Sequence, residues 1–164
     1  MSAAKTLDDL YLDELQHLLS ANDQMRQIVR LMAARVRGED LQGMLSDAVQ
    51  GIGNHMIVLE QLIEGCDIAE FGGERCKGME GLVEEAREHV LADGIGDDLR
   101  AISAIAQFRR MSHYGIAGFG TARDLAETLG RDRDAVWLGE MLDDICGADR
   151  CAIELARSSV GALA

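Results

Sequence analysis

Residues 102–129, ISAIAQFRRMSHYGIAGFGTARDLAETL, decide how the chain is read. Ile102, Ile105, Phe108, Ser112, Gly115, Phe119, Ala122, Leu125 and Leu129 recur at steps of three and four, which lines them along one face of a long helix. A stretch of this length without a turn signal is too long for a strand. Its middle is unusual. Ser112 and Gly115 occupy the stripe where a bundle helix carries large apolar groups or carboxylates, and Gly118 and Gly120 follow closely. An interior Gly costs about 1 kcal/mol of helix stability relative to Ala. Either a neighbouring helix packs very close there, or something larger has been lost.

Composition supports a helical chain. Among 164 residues there is no Pro, the only aromatics are Trp137, Tyr11, Tyr114, Phe71, Phe108 and Phe119, and Ala, Leu, Ile and Met dominate the apolar set. The length suits one domain, expected to span 1–164. A formal net charge of -13 argues against binding nucleic acid or an anionic membrane. The opening MSAAKTLDDLYLDE lacks the apolar core of a signal peptide, and no run of about 18 apolar residues exists. A cytoplasmic protein is expected. Cys66, Cys76, Cys146 and Cys151 form no CxxC pair and have no zinc spacing, so they read as reduced thiols behaving as small hydrophobes. A Cys66–Cys76 bond is the alternative.

Four further helices flank the central stretch. Thr6, with Asp8 and Asp9 behind it, opens one at about 6–37, in which polar Asn22 interrupts the stripe of Leu15, Leu18, Met25 and Val29. A second runs over about 40–64, with Gln50, Gly51, Gly53 and Asn54 clustered at its middle and His55 facing inward. The short link between the two makes them antiparallel neighbours. After a turn-rich break at 65–77 comes a short helix at about 79–91, then the break DGIGDD. The central helix spans about 99–129, and the last about 134–160. The expected architecture is all-α: a four-helix bundle whose long crossover between its second and third helices carries a short extra helix, as in ferritin-like folds.

Three segments, CKGMEGLVEEA (76–86), AQFRRMSHYGIAGFGTARDLAETLG (106–130) and LGEMLDDICGADRCAIELA (138–156), resemble the YciE/YciF family of bacterial ferritin-like stress proteins. LDDLYLDEL and LLSANDQM near the amino terminus fit the same pattern. The resemblance implies a ferritin-like bundle, usually a homodimer, often with a two-metal carboxylate site in its core. It also implies a stress-associated role. Carried over residue by residue, that site is degenerate. The family's ligand positions fall on Asn22 in the first helix, Gln50 and Gly51 in the second, Ser112 and Gly115 in the third and Ile145 in the fourth. Asp143, Asp144 and Asp149 remain. Losing the carboxylates together with their metals avoids unpaired buried charge.

The function expected is therefore that of a non-catalytic ferritin-like protein with a degenerate di-metal site, acting as a structural or interaction protein without a cofactor. The alternative is a metal-binding oxidase or peroxide-handling protein using iron at an altered site built on His55, His113 and Asp149. Gly51-x-Gly53 and Gly118-x-Gly120 lie inside helices, with no preceding strand to make a phosphate-binding turn. Close helix packing explains them better. Because voids cost about 24 cal/mol per Å³, the second and third long helices are expected to approach closely near Gly51 and Gly115, leaving a mostly dry core without a sizeable pocket.

Overall fold

A computed structural model of the chain describes residues 4–66 and 75–161. In chain order its helices are α1 (Leu7–Arg35), α2 (Glu39–Glu64), α3 (Lys77–Ala86), which runs into a π-turn at Arg87–Leu91, α4 (Asp97–Thr128) and α5 (Asp132–Gly161). There is no strand among the described residues. Residues 67–74, inside the break expected at 65–77, lie outside them.

Local chemistry sets the helix ends. Thr6 Oγ1 accepts from the Asp9 amide at 3.0 Å, while the Asp9 carboxylate accepts from the Thr6 amide at 3.0 Å, a reciprocal capping box at the start of α1. At the same end of the bundle, where Arg131 pairs with Asp8 at 3.1 Å, α4 stops as Gly130 adopts φ +69°. The Arg131 amide donates to Ala126 O and the Gly130 amide to Glu127 O, the paired closure that a left-handed glycine permits.

The pattern of burial fixes the topology. One apolar cluster joins Tyr11, Leu15 and Leu18 of α1 to Leu59 and Leu62 of α2, Phe119 and Ala122 of α4, and Leu138 and Met141 of α5. A second joins Ile28, Val29 and Met32 to Leu41, Leu45, Ala104, Phe108, Met111 and Ala152, with α3 covering it through Met79 and Val83. Opposite halves of α1 and α2 thus meet, as do opposite halves of α4 and α5. It follows that α2 and α4 run parallel, joined by the crossover that carries α3. The packed neighbours are α1 with α2, α4 with α5, α1 with α4, and α2 with α5. This is the ferritin-like arrangement, in which α2 and α4 lie diagonally across the bundle.

Side chains strap the crossover to this frame. Gln24 Nε2 donates to Cys76 O at 3.1 Å, and the Cys76 amide donates to Ser20 Oγ at 2.9 Å, which holds the start of α3 against α1. At the far end the buried Arg100 guanidinium donates to three carbonyls, those of Val90, Ala92 (3.2 Å) and Ile95 (3.1 Å). Arg35 adds a bond to Leu91 O at 2.8 Å.

Candidate functional site

Between the two apolar clusters the bundle opens towards the seam between α2 and α5. A cavity of about 760 Å³ lies at this level and continues along the seam between α2 and α5. Its inner wall is built from Asn22 and Met25 of α1, Met79 of α3, and Phe108, Met111, Ser112, Gly115 and Phe119 of α4. Gly51, Ile52 and His55 of α2 face Asp144, Ile145 and Ala148 of α5 across the opening.

Its cause lies in the residues at this layer. Asn22 folds its Nδ2 back onto Leu18 O at 2.8 Å, and Ser112 donates to Phe108 O at 3.0 Å, so both buried polar groups satisfy donors within their own helices. Neither reaches across. A Cβ on Gly51 would meet nothing within 4 Å, and one on Gly115 would sit 3.6 Å from Ile145 Cδ1 in ordinary contact. The close approach of α2 and α4 expected at these glycines therefore does not occur, and a cavity stands where a core without a sizeable pocket was expected. The physical reason is the diagonal placement of α2 and α4: small residues on diagonal helices widen the space between them and cannot draw their backbones together. Close approach is found instead between α4 and α1, at Gly118.

Among the described residues, His55 is the one ionisable side chain buried in the cavity wall. It is 5% exposed, with Nε2 3.3 Å from Asp144 Oδ2 and its ring edge-on to Phe119 at 5.7 Å. Burial pushes its pKa down, partly offset by the hydrogen bond and charge of Asp144. A carboxylate can only accept, so the neutral imidazole carries its hydrogen on Nε2. That leaves Nδ1 as an acceptor, and it is buried without a hydrogen-bond partner.

The residues singled out in the sequence separate into three places. Asn22, Gly51, Ser112, Gly115 and Ile145 all line the cavity. Gln50 does not: it is exposed and borders a shallow groove with Arg26, Gly53 and Ile57. His55, His113 and Asp149 do not assemble as one site. Asp149 accepts from Arg109 Nε at 2.8 Å and pairs with His113 at 3.3 Å, and neither His113 nor Asp149 lines the cavity that holds His55. Asp144 and Asp149 are five residues apart on α5, which turns them to different faces. The partnership of His55 with Asp144 was not foreseen, although the four-residue steps from Asp144 to Ala148 and from Ala148 to Ala152 carry a usable signal.

Among the described residues no three His, Cys, Asp or Glu side chains come together so as to hold a metal ion. The four cysteines are free thiols, so the Cys66–Cys76 bond is not formed: Cys76 Sγ lies 3.0 Å from Tyr114 Oη, and the Cys66 thiol donates to Leu62 O at 3.4 Å.

The helix order, the long crossover and the diagonal pair define a ferritin-like four-helix bundle. A family model described as a domain of unknown function, DUF892, matches residues 6–163, and the chain belongs to that family. It is similar to protein YciF of Escherichia coli K12, with 28% identity over 156 residues covering 95% of this chain and 93% of the relative. The crystal structure of the E. coli stress protein YciF matches with a TM-score of 0.90, over 96% of this chain and 99% of that one. YcfI of Rhodopseudomonas palustris, proposed to be a structural protein, shares the fold at a TM-score of 0.85 and 23% identity, over 92% and 95% of the two chains. No helix among the described residues is long and apolar enough to cross a membrane.

Proposed function

We propose that this chain is a non-catalytic, stress-associated member of its family in which the metal centre has degenerated into a binding pocket for a small organic molecule. The observation that carries the reading is the cavity itself. It lies where the four long helices converge, and it is bordered by Asn22, Gly51, Ser112, Gly115 and Ile145, the residues onto which the resemblance carries the family's ligand positions. Its volume and largely apolar wall, with a few polar groups, match the usual make-up of small-molecule sites. The protein acts by binding, as a homodimer in the manner its resemblance implies.

The test is binding of an environment-sensitive apolar fluorophore to the native protein and to Gly115→Leu, whose side chain grows from a Cβ already in contact with Ile145. Saturable binding of one equivalent per chain, lost in the variant, is the expected result. Absence of saturable binding overturns the pocket, and two tightly bound metal ions per chain after purification without chelator overturn the degenerate centre. Light scattering reporting a monomer removes the homodimer.

A further inference from the structure

The cavity has a charge pattern that narrows what it takes. From the bundle centre it continues along the α2–α5 seam to Glu39, Asp40 and Asp47 on one side and Glu154 on the other, with the exposed Asp144 beside His55 at the opening. Glu39 and His55 are separated by about 24 Å along the axis of α2. The space is therefore elongated. No Lys or Arg lines it among the described residues, although every other lining group is apolar, neutral or histidine. Exposed carboxylates along a low-dielectric groove attract cations and repel anions, in a chain whose formal net charge is already -13.

A second, independent feature points the same way. His55, whose side chain lines the cavity, has a buried Nδ1 acceptor with no hydrogen-bond partner, on the ring whose Nε2 lies 3.3 Å from Asp144 Oδ2. A buried acceptor left unpaired is costly, so a ligand that donates an N–H or O–H recovers that cost. Along the same wall, Met25, Met44, Ile52, Phe108 and Met111 supply an adaptable apolar surface suited to an alkyl or aryl body.

We infer that the pocket takes an amphipathic organic amine: an elongated apolar molecule bearing a protonated N–H centre. The inference rests on the binding-pocket reading above. The amine's apolar body lies along the methionine-lined wall. Its positive charge is held by the seam carboxylates, and an N–H finds His55 Nδ1.

The experiment compares decylamine, 1-decanol and decanoate, all below their self-association limits, by calorimetry on the full chain at neutral pH. Decylamine is expected to bind at least about tenfold more tightly than the alcohol, with decanoate weakest, and the amine's advantage is expected to shrink in high salt. In Asp47→Asn/Asp144→Asn/Glu154→Gln, checked for native helicity and melting, the amine-over-alcohol preference collapses towards unity. In His55→Phe, which keeps a ring in the wall, decylamine loses more affinity than decyltrimethylammonium, which has no N–H to lose. If all three chain compounds bind equally, the amine inference fails and the pocket stands. If none binds and the fluorophore does not bind either, the pocket reading itself fails.

Discussion

Gly118 of α4 stands so close to Leu18 of α1 that a Cβ on it would lie 2.7 Å from Leu18 Cδ2 and 3.1 Å from Glu14 Oε1. Leu18 is only 2% exposed and is held in the apolar cluster, so it has little room to retreat. Gly118→Ala gains helix propensity but overpacks this contact, and a net loss of about 1 kcal/mol is expected. Gly120→Ala, two residues on, meets nothing within 4 Å and is expected to gain about 0.5–1 kcal/mol. Urea denaturation midpoints that move in opposite directions confirm the α1–α4 contact.

Arg100 is expected to be the costliest single side chain to remove from the crossover. Arg100→Met strips three carbonyls of their donor at a buried position, for a loss of about 2 kcal/mol. Arg100→Lys recovers only part, because a point-like ammonium cannot span carbonyls that a planar fork reaches together. Thermal melts of the three proteins give the order.

The depressed pKa of His55 makes stability depend on pH with a definite sign. In the unfolded chain the imidazole titrates near 6.5, and in the folded protein it takes up a proton only at lower pH. Its contribution is complete above 6.5. As pH falls from 6.5 through the folded value, the unfolded state binds more protons, and stability drops at up to about 1.4 kcal/mol per pH unit. Below the folded value the decline stops. Subtracting the profile of His55→Asn isolates this component, and in Asp144→Asn the decline extends to lower pH, because the carboxylate that favours the charged ring is gone. The His55 ring resonance followed by NMR titration reports the two folded values directly.

Gly115 distinguishes an open centre from a filled one. Gly115→Leu occupies void volume and restores helix propensity, and is expected to raise stability by about 1 kcal/mol. In a tightly packed core the same change would clash and destabilise. Denaturation in urea, with no ligand present, reads the sign.

The sequence carried the frame more fully than the centre. Thr6 with Asp9 announces the start of α1, and Gly130 the end of α4, because caps are local chemistry between residues a few positions apart. The three-and-four stripes of α1, α2, α4 and α5 place the bundle for the same reason. Gly51 and Gly115 were legible as anomalies, but whether they close a gap or open one depends on whether their helices are adjacent or diagonal, which no periodicity records. Gln50 shows a second limit. One residue of helical register separates it from Gly51, yet that step of about 100° carries it out of the cavity to the solvent face. Arg100 escaped notice because its three acceptors sit in a π-turn and loop whose shape is set only once α3 has docked.

Because the apolar interior is divided into two clusters with the cavity between them, each long helix is anchored twice, once on either side of its middle. Residues such as Leu15, Leu59, Ala122 and Leu138 hold one end, and Ile28, Leu45, Ile105 and Ala152 the other. The residues between can then be exchanged without loosening either anchor. In evolutionary terms, such a middle layer is free to drift: it can acquire ligands, lose them, or change the molecule it accepts while the topology stays fixed. For protein engineering it supplies a ready chamber, walled by helices whose geometry is maintained from both ends and whose lining can be rewritten one residue at a time.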